Sequence, residues 1–202
     1  MYTLYSLDSV ESATVRPAHR MSTPFTRYQL EQLLRGYQSS DDDRVAVAER
    51  IISFIGSTAA CAERTNLAGH LTGSAWIVNS SRTKALLLHH RKLNKWMQPG
   101  GHADGDLNLF MVALREAREE SGLGNIHPVS REVFDVDIHE IPRFKDVPAH
   151  YHYDVRFLFE ADDREHPERN DESNEVAWID LAEISKYTDE ESVLRMARVC
   201  RL

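Results

Sequence analysis

The stretch from Gly100 to Leu123, GGHADGDLNLFMVALREAREESGL, constrains this chain of 202 residues more than any other. Its second half, LREAREESGL, predicts a helix over residues 107–122 that carries Glu116, Glu119 and Glu120. Residues three and four apart are neighbours on a helix surface. At about 100° per residue, the three carboxylates share a sector roughly 100° wide. The opposite sector holds Leu107, Phe110, Met111, Leu114 and Ala117, an apolar face suited to a core. Carboxylates crowded on one face repel unless a cation sits among them, and a hard divalent ion with oxygen ligands suits such a set. Gly100 and Gly101 follow Pro99 and predict a tight loop before the helix, and Gly122 suits its C-cap.

Gly101, Arg115, Glu116, Ala117, Glu119, Glu120, Gly122 and Leu123 stand at the spacing of a known motif, and the chain resembles the Nudix hydrolase family through this Nudix box. It departs at Leu107, where the box carries an acid; Asp104 and Asp106 lie just before it. The resemblance implies an α/β fold, an α/β/α sandwich with a mixed sheet. It implies Glu116, Glu119, Glu120 and the Gly100 carbonyl as metal ligands. Glu119 and Glu120 then also belong to the catalytic set, and Arg115 orients a glutamate through an ion pair. An acid at position 107 commonly pairs with that arginine. Here Leu107 is expected to pack, leaving Asp104 or Asp106 to pair with Arg115.

Composition narrows the partners. The net charge of −8 argues against non-specific nucleic-acid binding, which draws most of its affinity from a basic surface. It leaves an anionic substrate open, because metal ions carry positive charge of their own. The two cysteines, Cys61 and Cys200, form no disulfide framework, so reduced thiols and a cytoplasmic location are expected. No apolar run approaches the roughly 20 residues of a membrane helix, and no signal peptide opens the chain.

Around the box, hydrophobic spacing predicts helices over 23–37 and 44–55, the second N-capped by Asp42 or Asp43. Strands are expected over 75–78, 85–90, 129–141, 150–161 and 176–179, and a terminal helix over 190–201. Pattern alone says α/β or α+β. The resemblance covers about 69–200 and divides the chain into three parts. Residues 1–22 are an arm or start-site extension with Met21 as an alternative start, 23–66 a helical appendage, and 67–202 the Nudix domain. The appendage is a lid, a source of substrate contacts, a homodimer interface or core packing, and the sequence leaves these open.

Outside the box, the loop before Trp178 offers Glu172 and Glu175 as a general base, with Glu172 the better match to the family by its spacing. The histidines set this chain apart. His102 follows the glycine pair and is expected in a loop or substrate role. His152 is the second candidate for a substrate contact, although a solvent-facing sheet side is the plainer expectation for it and for His150. His139 stands beside Asp135 and Asp137, and a zinc site lacks diagnostic spacing. The resulting expectation is an enzyme, a Mg²⁺-dependent hydrolase with Mn²⁺ as a substitute. It cleaves a diphosphate linkage in a nucleoside diphosphate derivative by metal-activated water. A catalytically inactive nucleotide-binding regulator and an RNA 5′-pyrophosphohydrolase are the alternatives.

Overall fold

The computed structural model describes residues 24–200. Met21 and the arm over 1–22 lie outside them. Two helices open the described chain. Helix α1 (Arg27–Arg35) starts at Thr26, whose hydroxyl accepts from the Gln29 amide while the Gln29 side chain accepts from the Thr26 amide. That reciprocal pair satisfies two amides that a helix start leaves open. Helix α2 (Asp42–Ser57) is capped by Asp41, one residue earlier than expected, because its carboxylate reaches the Asp43 amide.

Eight strands follow in one mixed sheet: β1 (Gly69–Val78), β2 (Lys84–His90), β3 (Lys95–Met97), β4 (Gly100–His102), β5 (His127–Pro128), β6 (Asp135–Ile141), β7 (His150–Glu160) and β8 (Ser173–Asp180). Helix α3 (Leu109–Ser121) lies between β4 and β5, and α4 (Glu191–Val199) ends the described chain. The central pair, β1 and β7, runs parallel over ten register pairs from Gly69↔Tyr151 to Val78↔Glu160. The other pairings are antiparallel. All ten residues of β1 are buried, as a strand covered on both faces must be. Of the single strand expected over 129–141, Asp135–Ile141 forms as β6, while residues 129–134 are a connection from the short β5 that ends at Pro128. The VFDVDIHEI alternation sets in only where pairing with β7 begins, at Asp135↔Arg156.

The odd-numbered side chains of β1 and β7, among them Leu71, Ala75, Val155 and Phe157, join one core with α1, α2 and α3. Leu30, Leu34, Ile51 and Ile55 of the first two helices are buried within it. Burying each such side chain contributes about 1.5–3 kcal/mol. Trp76 and Val78 form a second core on the opposite face with Val193, Met196 and Ala197 of α4. Helices therefore cover both faces, giving the α/β/α layering. Cys61 and Cys200 are free and buried. Among the described residues no helix is long and apolar enough to cross a membrane.

On the even-numbered face beside that second core, polar residues are buried in place of apolar ones. Asp154 accepts from the hydroxyls of Thr72 and Ser74, both at 2.8 Å. Arg156 donates to Asp154 at 2.7 Å and to Asp135 at 2.9 Å, and Arg195 of α4 donates to the same Asp135.

Candidate active site

Helix α3 starts at Asn108, whose side chain accepts from the Met111 amide, and ends at Gly122, with φ of 69°. A left-handed terminal residue favours glycine because it has no Cβ to clash. Leu109, Phe110, Val112, Ala113, Leu114 and Ala117 are buried. Met111, assigned to the apolar face by spacing, is 42% exposed, and Leu107 packs against the core just before the helix.

The opposite side of α3 faces the β4 loop. The Gly100 amide donates to Glu120 Oε2 at 2.8 Å. A Cβ on Gly101 would stand 2.5 Å from the Glu116 carboxyl carbon, so the glycine leaves room for this carboxylate to lie against the loop where it does. Glu120 is buried, Glu116 half-buried and Glu119 exposed. Burial pushes the Glu120 carboxyl up to about 8, with Glu116, Glu172 and Glu119 adding to the rise against the Gly100 amide. Burial likewise raises Glu116, opposed by Arg115 and reinforced by Glu119 and Glu172. Four carboxylates are thus within electrostatic reach of one another, and one of them is withdrawn from water. Their oxygens suit a hard divalent ion, which would restore the ionised form of Glu120.

Arg115 donates to Glu116 at 3.0 Å and points toward the His102 carbonyl at 3.5 Å. It pairs with neither Asp104 nor Asp106. Asp104 is taken by Arg64, at 2.5 and 2.6 Å, and Asp106 caps the Asn108 amide. Arg64 gave no signal in the sequence. It comes from the segment between α2 and β1, and its charge also interacts with Glu116 and Glu172. Glu172 stands at the mouth of β8, near enough to Glu116 and Glu120 to raise both. Glu175 is three residues further on, the third residue of β8, opposite His89.

His102 and His152 lie on the other face of the sheet, among further imidazoles. Their rings are 4.9 Å apart, and each is 5.0 Å from His70. His150 is buried and not solvent-facing. Burial and the neighbouring charges of Arg64 and His70 hold His102 down at about 4. Burial and the surrounding histidines hold His152 at about 2.

A family model described as NUDIX domain matches residues 70–199, from β1 to α4. The chain belongs to the NUDIX family. The match leaves α1 and α2 outside it. Among solved structures, the E. coli dihydroneopterin triphosphate pyrophosphohydrolase is similar at 14% identity with a TM-score of 0.51, over 64% of this chain and 92% of that one. A C. elegans Ap4A hydrolase in binary complex shares 15% identity over 63% and 92%, with a TM-score of 0.46. A NUDIX-family hydrolase from Clostridium perfringens shares 21% over 65% and 96%, with a TM-score of 0.46. No curated protein matches the chain. At such identities the likeness is one of fold.

The close approach at Gly101 gives a direct check on this NUDIX site. Gly101→Ala pushes the flexible end of Glu116 out of its present place beside the loop, and a misplacement of about 1 Å within such a site lowers turnover by about a hundredfold. Circular dichroism of the variant is expected to match the wild type while its hydrolysis rate falls.

Proposed function

We propose that this chain is a pyrophosphohydrolase that cleaves a diphosphate linkage in a nucleoside diphosphate derivative with the help of Mg²⁺, for which Mn²⁺ substitutes. Family membership supports the hydrolase class. One observation carries the site. The buried Glu120 carboxylate, held by the Gly100 amide, is crowded by Glu116, Glu119 and Glu172. Glu116, Glu119, Glu120 and the Gly100 carbonyl would hold the ion. The chemistry a bound divalent ion supplies is neutralisation of diphosphate charge and activation of water. Arg115 fixes the Glu116 carboxylate in place. Arg64, anchored by Asp104, presents a guanidinium to the same space and suits a substrate phosphate. Glu172 accepts the proton of the attacking water at a carboxylate oxygen. The anhydride bond breaks as the new P–O bond forms, and the leaving phosphate departs as an anion.

Release of phosphate-containing products is the deciding measurement, over nucleotide sugars, dinucleotides, CDP-alcohols and damaged nucleoside triphosphates with Mg²⁺ or Mn²⁺. Turnover of at least one of them is expected, and none once a chelator is added. Binding without turnover across the panel would instead favour a regulator, and turnover confined to 5′-triphosphorylated RNA would favour action on RNA ends. With the substrate found, Glu172→Gln is expected to lower kcat by about a hundredfold, the usual loss of a general base. KM should stay nearly unchanged. A variant as active as the wild type would remove Glu172 from the mechanism.

A further inference from the structure

The even-numbered face of the sheet gathers histidines from four strands. His70 of β1 pairs in register with His152 of β7, which pairs on its other side with His139 of β6. His150 stands two residues before His152 on the same face, and its ring is 5.0 Å from that of His70. His102 of β4 closes the group from the loop side. One ligand nitrogen from each of His70, His150 and His152 lies within 4.8 Å of the others. Tetrahedral zinc–imidazole bonds of about 2.0–2.1 Å place such nitrogens about 3.4 Å apart, so small rotations bring the three onto a common ion.

The hydrogen bonding points the same way. His70 is 3% exposed, and neither of its ring nitrogens has a hydrogen-bond partner. The Asn66 backbone lies close enough to favour its protonated form, but not in hydrogen-bonding geometry. His152 Nε2 is likewise buried without a partner. Each such orphan costs about 1–3 kcal/mol. The Nδ1 of His150 is 2.9 Å from the Pro148 carbonyl, so this nitrogen carries the proton and Nε2 keeps its lone pair. A ligating histidine commonly donates its other N–H to a carbonyl in this way.

We infer that His70, His150 and His152 form a site for one divalent transition-metal ion of the zinc class, with His102 as a further imidazole at its rim. An all-imidazole set selects such ions, whereas the carboxylate set on α3 suits Mg²⁺. The ion cross-links β1 to β7 and, through His102, reaches the strand that carries the Gly100–Gly101 loop. The inference does not depend on what α3 hydrolyses.

The test is a calorimetric titration of chelator-treated full-length protein with Zn²⁺ in excess Mg²⁺. One equivalent is expected, retained in Glu120→Gln and lost in His70→Asn. No stoichiometric uptake by the wild type, or uptake lost in Glu120→Gln and kept in His70→Asn, overturns the inference. X-ray absorption at the zinc edge of the wild-type protein needs no variant and covers a failure of His70→Asn to fold. Imidazole scattering from three or more ligands is expected, and coordination by oxygen alone refutes the site.

Discussion

Glu120→Gln is expected to lower turnover by about a thousandfold, equivalent to about 4 kcal/mol of transition-state stabilisation. The amide keeps the shape of the carboxylate and its contact with the Gly100 amide through an oxygen. It removes the charge that a cation needs at the most buried of the four acids. The same substitution is expected to stabilise the protein in the presence of a chelator. The carboxyl of Glu120 is raised to about 8, so folding favours its neutral form. Its favourable contribution is fully present below the ordinary glutamate range and is lost as pH rises through about 8. Glutamine stays neutral throughout. The melting temperature of the variant should therefore exceed that of the wild type increasingly as pH rises from the ordinary glutamate range to about 8, and by a constant margin above it, and Mg²⁺ should raise only the wild type. An active variant, or one less stable at high pH, would contradict the arrangement.

Arg156→Leu is expected to destabilise the fold by about 3–5 kcal/mol, the cost of leaving a buried charge without its partner. Arg156 is 2% exposed and contacts Asp154 and Asp135, while Asp137 lies 3.4 Å away. Arg195 still serves Asp135 in the variant, but Asp154 keeps only two hydroxyls. Adding Asp154→Asn should return part of the loss, since the orphaned charge is then gone. Urea denaturation of the single and double variants measures both terms. The network also predicts acid sensitivity. Burial alone would raise the Asp137 carboxyl, but the His139 hydrogen bond and the Arg156 and Arg195 charges hold it well below the usual range. A depressed carboxylate contributes stability above its unfolded pKa, which is lost progressively as pH falls.

The carboxylate cradle was legible in the sequence because its parts sit on one helix and the loop that precedes it. Spacing along 24 residues, Gly100 to Leu123, sufficed to place Glu116, Glu119 and Glu120 together. The odd-numbered face of β7 was legible for a similar reason, since alternation is a local property. Its even-numbered face, with His150, His152, Asp154 and Arg156, looked like a wet surface. Polarity alone does not tell a solvated face from a buried network of ion pairs and imidazoles. His70 was passed over because nothing near it in sequence marks it, and only the register of β1 against β7 sets it beside His152. Arg64 and its pairing with Asp104 were missed for the same reason, being a contact across 40 residues of chain. Leu107 packs against the core as its spacing implies, but neither Asp104 nor Asp106 pairs with Arg115, because Arg64 engages Asp104 and Asp106 caps Asn108.

The parallel pairing at the centre of the sheet also bears on how the chain reaches its native state. Thr72 and Asp154 meet across 82 positions of sequence. Closing so long a loop costs entropy before any contact repays it, so β1 and β7 join late and folding is slow for a domain of this size. During synthesis, β1, β4 and α3 emerge from the ribosome well before the strand that covers one edge of β1. Until β7 arrives, that edge presents open amides and carbonyls along a wholly apolar stretch, AWIV, and this is the interval in which the nascent chain is most exposed to aggregation.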